Sequence, residues 1–127
     1  MKTYRTLKYL YLLVIFFALL STTSCDDLVI ANITEDNVEL LTPKNNEELN
    51  INPILFSWDR LSGAEQYRFQ IIGNEFGISS EYLLDSLLNK TWIELHLQPG
   101  QYEWRVKGVN SEYESLYTSR IVNILSK

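Results

Sequence analysis

The most constraining feature of this sequence is the alternation of side chains along residues 102–107. Aromatic or aliphatic side chains occupy the even positions, and charged side chains occupy the odd positions. Successive side chains of a β-strand point to opposite faces, so this pattern predicts a strand with one buried and one solvated face. The same alternation recurs at 54–58, 66–72 and 91–97, with turn residues between the runs. Short alternating runs at this spacing predict an all-β sandwich or barrel.

Two further segments complete the expected six or seven strands. The first is 38–41, which leads into a polar turn at 44–50, and the second is 119–125. The segment 73–90 is less decided, because its leucines at 83, 84, 87 and 88 have helical spacing. A short helical turn there either replaces or accompanies an edge strand.

A group of four residues marks the point where one alternating run ends and the next begins. A leucine, a proline-glycine turn and a tyrosine predict a corner at which the chain crosses between two sheets. The tyrosine ring is expected in the core, with its hydroxyl bonded to backbone a few residues upstream. The residues of this predicted tyrosine corner are Leu97, Pro99, Gly100 and Tyr102.

Four features in order along the chain resemble the fibronectin type III pattern. They are a tryptophan on the second strand, a tyrosine on the third, the tyrosine corner, and the run RVKGVN at 105–110. The resemblance implies a single six- to seven-stranded, immunoglobulin-like β-sandwich over residues 38–127. Its expected core includes three large rings, Trp58, Tyr67 and Trp104.

Residues 1–24 have the layout of a secretory signal. Three basic residues precede an uncharged apolar run at 9–20, and small hydroxyl residues follow it. As a helix, that run would be about 18 Å long, which is short against a hydrocarbon core of about 30 Å. We therefore expect a signal peptide rather than a permanent membrane span.

Cys25 is the single cysteine and lies where a signal peptidase would cut. It is either an incidental free thiol or, because the stretch before it resembles the bacterial lipoprotein box, the site of lipid attachment. The second interpretation predicts a lipid-anchored tether at 25–37 and a place in the cell envelope, at the outer membrane of a Gram-negative bacterium. Whether the domain faces the periplasm or the cell surface is left open.

The charge of the chain argues against nucleic acids and anionic membrane surfaces as partners. Three of its 11 basic residues and none of its 16 acidic residues lie in 1–24, so the remainder carries a net charge of −8. An acidic surface repels phosphate backbones and anionic head groups. We expect no nucleic-acid binding, and membrane attachment through the lipid alone.

The sequence offers no set of residues for catalysis or metal binding. His96 is the single histidine, so multi-histidine metal sites cannot form, and Cys25 lies outside the domain. Carboxylates are numerous, but no spacing singles out a pair for glycoside hydrolysis. We therefore expect no cofactor, no metal and no enzyme, with a small hydrolase subunit as the least favoured alternative.

Exposed aromatic side chains are the best indication of a binding surface. Trp92 has the opposite parity to its inward neighbours, so it is exposed unless a bulge reverses the strand. Tyr113 and Tyr117 are expected to extend the same surface. Separately, the triplet at 85–87 resembles an acceptor for O-linked glycans on exported bacterial proteins, which implies glycosylation of Ser86.

These observations predict a lipoprotein whose fibronectin type III-like domain is a non-catalytic binding or scaffolding module. Its partner would be an envelope protein that adds a strand to a sheet edge. The alternative is a carbohydrate-binding accessory of an outer-membrane polysaccharide-uptake system that uses Trp92 and nearby tyrosines.

Overall fold

A computed structural model describes residues 2–18, 29–73 and 81–126 of the chain. One helix and eight strands lie in this part: α1 (Lys2–Ala18), β1 (Leu40–Thr42), β2 (Glu47–Leu49), β3 (Ile54–Trp58), β4 (Gln66–Gly73), β5 (Glu81–Leu88), β6 (Trp92–Leu95), β7 (Gly100–Val109) and β8 (Thr118–Ile124).

The strands form two sheets that pack face to face. One sheet has the order β1-β3-β6, and the other has the order β2-β8-β7-β4-β5. Every pairing between these strands is antiparallel except that of β2 with β8. The predicted all-β, fibronectin type III-like sandwich is therefore confirmed.

The described residues contain eight strands, where the sequence predicted six or seven. The additional strand is β2, which lies inside the stretch expected to be a polar turn. Its residues pair with β8 from Glu47 opposite Val122 to Leu49 opposite Ile124, and Leu49 packs against the core. A three-residue strand with one apolar side chain is too short for alternation to reveal it.

The undecided segment 73–90 contains an edge strand, β5, while residues 74–80 lie outside the described part of the chain. The pairing of β5 with β4 is irregular between Ile71 and Ile72. At this irregularity Leu83 lies over Gly73, and the next residue, Leu84, packs against the core. The irregular register thus accounts for adjacent leucines in a strand, a pattern that resembled helical spacing.

The core is a cluster of aromatic rings that join the two sheets. Phe56 on β3 makes edge contacts with Phe69 on β4 and Trp104 on β7, with ring centroids 5.4 and 5.3 Å apart. Trp58 stacks on Phe69 at 5.6 Å and lies 5.9 Å from the ring of Tyr67. All five side chains are at most 4% exposed, so the predicted core residues lie in the core.

The tyrosine corner lies where the chain leaves β6 in one sheet and enters β7 in the other. The Tyr102 hydroxyl donates a hydrogen bond to the carbonyl of Gln98, at 2.8 Å. Leu97 packs against the core, and the side chain of Asn52 holds its backbone N–H and C=O at 3.2 and 3.1 Å. Pro99 and Gly100 are exposed and form the turn itself.

Residues 31–36, which the sequence assigns to the tether, contact the sandwich through Ala31, Ile33 and Asp36. Ile33 is 1% exposed, and the backbone N–H of Leu116 donates to the carbonyl of Asp36 at 3.0 Å. The Asn110 side chain also donates to the carbonyl of Ala31 at 2.8 Å. The domain therefore includes residues before 38. An apolar residue flanked by polar ones gives no pattern from which this packing could be read.

The helix α1 covers most of the predicted signal segment, and its large apolar side chains are exposed. Among the described residues, no helix combines the length and the apolar character needed to cross a membrane. The signal peptide and its removal stay predictions, and Cys25 lies outside the described residues.

The tyrosine corner gives a direct test of the sheet-to-sheet connection. Replacing Tyr102 with Phe keeps the buried ring but leaves the Gln98 carbonyl without this donor. We expect the free energy of unfolding to fall by about 1–2 kcal/mol. Chemical denaturation of Tyr102→Phe and of Tyr113→Phe, which removes a hydroxyl from a half-buried loop position, measures the difference. Equal stability of the two variants would contradict a structural role for this hydrogen bond.

Candidate binding surfaces

Trp92 lies on the outer face of the three-stranded sheet. The register of β3 and β6 is regular, from Ile54 opposite Leu95 to Ser57 opposite Trp92, so no bulge reverses the strand. Trp92 is 45% exposed, and the ammonium of Lys90 lies 3.8 Å from its ring centroid. Of the two predicted alternatives for Trp92, the structure therefore has the exposed one.

A shallow depression of about 290 Å³ adjoins Trp92 at one end of the sandwich. Its rim carries polar side chains of two loops, among them Arg60, Asn89, Lys90 and Thr91. The amide of Asn89 is already held by the side chain of Gln66 at 2.7 Å. The depression thus combines one aromatic wall with several hydrogen-bonding groups.

The expectation that Tyr117 extends the Trp92 surface is wrong, while the expectation for Tyr113 stays a prediction. Tyr117 covers Arg105 and Lys107, which lie on the outer face of the five-stranded sheet, on the opposite side of the sandwich. Tyr113 lies in the connection between β7 and β8, where its backbone is bonded to Asn110. The alternation of side chains along one strand could not reveal which of the two sheets would carry the connection between β7 and β8.

Asn110 organises this connection, and the sequence analysis noted it only as part of a motif. Its side-chain oxygen accepts from the backbone N–H groups of Glu112 and Tyr113 at 3.1 and 2.8 Å. Its side-chain nitrogen donates to the carbonyls of Ala31 and Gly63 at 2.8 and 2.9 Å. One buried amide therefore joins three loops. It also fixes the start of the connection between β7 and β8 that carries Tyr117.

A network of polar side chains covers the outer face of β5, β4 and β7. The register places Gln70 between Asp85 on one side and Arg105 on the other. Gln70 accepts from the Arg105 Nε at 2.7 Å and donates to an Asp85 oxygen at 2.9 Å. Asp85 also pairs with Arg68 at 3.2 Å. We call this group, with Tyr82, Lys107, Glu114 and Tyr117, the outer polar network.

Arg105 is held on several sides within the outer polar network. Its Nη2 donates to the Tyr82 hydroxyl at 2.8 Å, and its guanidinium carbon lies 4.3 Å from the ring centroid of Tyr117 and 5.6 Å from that of Tyr82. Lys107 lies 4.7 Å from the Tyr117 ring centroid and pairs with Glu114. The sequence predicted that Arg105 and Lys107 point outward, but only the strand register brings these residues together.

Ser86 is half-buried, opposite Phe69 on the neighbouring strand. Directly paired residues share a face of the sheet, so Ser86 lies on the same face as the core ring of Phe69. Its hydroxyl thus lies on the inner side of the edge strand β5. Glycosylation of Ser86 stays a prediction from a three-residue resemblance.

The four sheet edges differ strongly in length. The edge strands β1, β2 and β6 have three, three and four residues, whereas β5 has eight. Within the described part of the chain, β5 pairs with β4 alone. Tyr82, Leu83 and Leu87 on this strand are 56, 47 and 45% exposed. A long edge with exposed apolar side chains is a template for an additional strand.

Residues 2–18, 29–73 and 81–126 contain no cluster of three or more metal-ligating histidine, cysteine, aspartate or glutamate side chains. His96 is exposed at the end of β6.

Burial raises the pKa of Tyr117 above its ordinary value of 10.0, against the opposing effect of the nearby Lys107 and Arg105 charges. The unfolded chain ionises this phenol at lower pH than the folded chain does. The stability that Tyr117 contributes is thus complete below about pH 10 and is lost as pH rises through the folded pKa.

Tyr117→Phe should reduce the loss of stability above pH 10, measured by denaturation at several pH values. A variant that loses stability as steeply as the wild type would contradict this burial.

Comparisons with known proteins give similarity of fold without a family assignment. No family model matches the chain, and no curated protein matches it. Several solved structures are similar to it, and two of them follow. One is the structure of FN3tt mut, with 14% identity, a TM-score of 0.42, and coverage of 67% of this chain and 84% of the other. The second is an Fn3-like protein from Clostridium thermocellum, with 16% identity, a TM-score of 0.46, and coverage of 66 and 91%. The chain's own sheet order and tyrosine corner are those of a fibronectin type III-like sandwich.

Proposed function

We propose that this protein is a lipid-anchored lipoprotein of the cell envelope whose sandwich is a non-catalytic binding or scaffolding module. The single observation that carries the binding role is the eight-residue edge strand β5 with its exposed apolar side chains. The signal-like segment 1–24 and the position of Cys25 support the anchor. Fold and function are separate inferences, because β-sandwiches have many roles.

The geometry of β5 favours a protein partner that adds a strand. Eight residues of extended backbone offer a pairing length of about 26 Å. Short edges, charges and bulges normally protect sheets from such pairing. On β5 the charge of Asp85 is bound to Arg68 and Gln70 of the neighbouring strand, so it does not oppose an incoming strand. The register irregularity lies near the start of β5, and residues 84–88 pair regularly with β4.

The partner we infer is an extended segment of another envelope protein. Its side chains would be apolar where they meet Leu83 and Leu87, because these two are about half exposed. Basic flanks would suit a domain that carries a net charge of −8 after residue 24. Main-chain hydrogen bonds would supply affinity, and the side chains would supply specificity.

A second candidate is supported by Trp92. A half-exposed tryptophan beside a depression lined with amide, hydroxyl and basic groups is an arrangement that suits a neutral sugar ring. The two candidates use different strands, the backbone edge of β5 and the Trp92 side chain on β6, so variants distinguish them.

Position-specific photo-cross-linking in intact cells tests the β5 proposal. A photoreactive side chain at position 87 should form an adduct with a distinct envelope protein. Position 41 on β1, also half exposed, should form none because it lies on the short edge of the other sheet. Leu83→Lys should remove most of the position-87 adduct, since a lysine on an edge strand opposes pairing.

Three results would overturn the strand-addition proposal. Equal adducts from positions 41 and 87 would indicate non-specific proximity, and an adduct with a second copy of the chain would indicate self-association. Absence of an adduct, together with glycan binding that Trp92→Ala abolishes, would instead favour the carbohydrate-binding accessory.

A further inference from the structure

We propose that Arg105, with the hydroxyls of Tyr82 and Tyr117, forms a binding site for the carboxylate of a uronic acid in an acidic glycan. The site lies on the outer face of the five-stranded sheet. It shares Tyr82 with the β5 strand but uses a guanidinium and hydroxyls rather than the β5 backbone, so carboxylate binding and strand pairing are measured separately.

The first argument is the unused hydrogen-bonding capacity of Arg105. A guanidinium has five N–H donors. Two of them are engaged, one by the Gln70 oxygen at 2.7 Å and one by the Tyr82 hydroxyl at 2.8 Å. Within residues 29–73 and 81–126, the remaining donors have no partner, and no carboxylate forms an ion pair with Arg105.

Arg120 provides a comparison within the same protein. It too lacks a carboxylate partner in the described residues, but its guanidinium donates to three backbone carbonyls, those of Leu40, Leu41 and Pro43. Those bonds explain Arg120 as a structural residue that joins β8 to β1. Such a structural role does not account for Arg105. Among the described residues, its neighbours orient the guanidinium but leave some of its N–H donors without a hydrogen-bond partner.

The second argument is that the Arg105 guanidinium is already oriented. Gln70 is 6% exposed, and its amide is fixed by Asp85, which is fixed in turn by Arg68. The Tyr117 ring lies 4.3 Å from the guanidinium carbon on another side. A guanidinium held in place loses less conformational entropy on binding, and its planar fork matches a carboxylate with two parallel hydrogen bonds.

The third argument is that the surrounding groups are donors. The Tyr82 hydroxyl accepts from Arg105, so its own hydrogen is available for a ligand. The Tyr117 hydroxyl forms no hydrogen bond within the described residues. Two carboxylates near the site are paired, Asp85 with Arg68 and Glu114 with Lys107, whereas Glu103, on the same face of β7, has no ion pair among the described residues. The site therefore offers hydrogens and a positive charge, which select an anion.

The setting favours a sugar acid over an acidic peptide. Arg105 lies on β7, which is paired on both sides by β4 and β8, so an extended peptide would pair with the β5 edge and not with the strand that carries Arg105. The Tyr82 side chain is more than half exposed and offers an aromatic surface against which a sugar ring packs. A uronate combines such a ring with the carboxylate that the fork requires.

Isothermal titration of the full chain in neutral detergent tests the site, with oligogalacturonate as the probe and its methyl ester as the neutral counterpart. We expect binding of the acid and at least about tenfold weaker binding of the ester, because a charged hydrogen-bonding partner is lost. Arg105→Lys keeps the charge but removes the fork, so it should also weaken binding at least about tenfold. Lys44→Gln removes an exposed positive charge elsewhere and should change affinity less than about twofold.

Tyr82→Phe provides a second variant with a conservative change on the surface, and it should weaken binding severalfold while the protein stays folded. Wild-type affinity in Arg105→Lys would show general charge attraction and overturn the proposal. Equal binding of the acid and the ester would contradict recognition of the carboxylate. Equal binding of poly-glutamate and oligogalacturonate would contradict recognition of the sugar ring. Loss of binding in Trp92→Ala but not in Arg105→Lys would place the glycan at the other surface.

Discussion

The contact between aromatic rings of the two sheets is the interaction on which the rest of the structure depends. Phe56 and Trp58 on β3 meet Phe69 and Trp104 on the facing sheet, and each of the four side chains is at most 1% exposed. Burial of such rings is the dominant stabilising term in a small domain without disulfides. The buried indole N–H groups of Trp58 and Trp104 lack partners in the described part of the chain, a cost of about 1–3 kcal/mol each that ring burial must offset.

Along each core strand, the residues between the buried ones face solvent. The strand register then decides which of these solvent-facing residues lie side by side. On β4 and β7, every second residue faces the core, and four of the residues between them, Arg68, Gln70, Arg105 and Lys107, belong to the outer polar network. The tyrosine corner connects the sheets, and Asn110 fixes the loop from which Tyr117 reaches back over Arg105. The binding surfaces are thus consequences of how the core orders the strands, and they lie on its two outer faces and its longest edge.

The sequence predicted those features that depend on periodicity within one strand. The sandwich, the tyrosine corner and the buried rings at 58, 67 and 104 follow from alternation and turn chemistry. Features that depend on contacts between distant segments were missed. The three-residue β2 is too short to show a pattern, Ile33 packs from a stretch that resembles a tether, and Tyr117 lies on the opposite side from Trp92 because the β7–β8 connection belongs to the other sheet. The pairing of Gln70 with Arg105 likewise depends on register, which no single strand contains.

The central claim is that this sandwich is displayed from a membrane by a lipid on Cys25. The most direct measurement is the intact mass of the protein isolated from its native membrane fraction. A chain that begins at Cys25 and carries acyl groups would agree with the account. A full-length or unacylated mass would contradict it, because the sandwich would then have no lipid anchor.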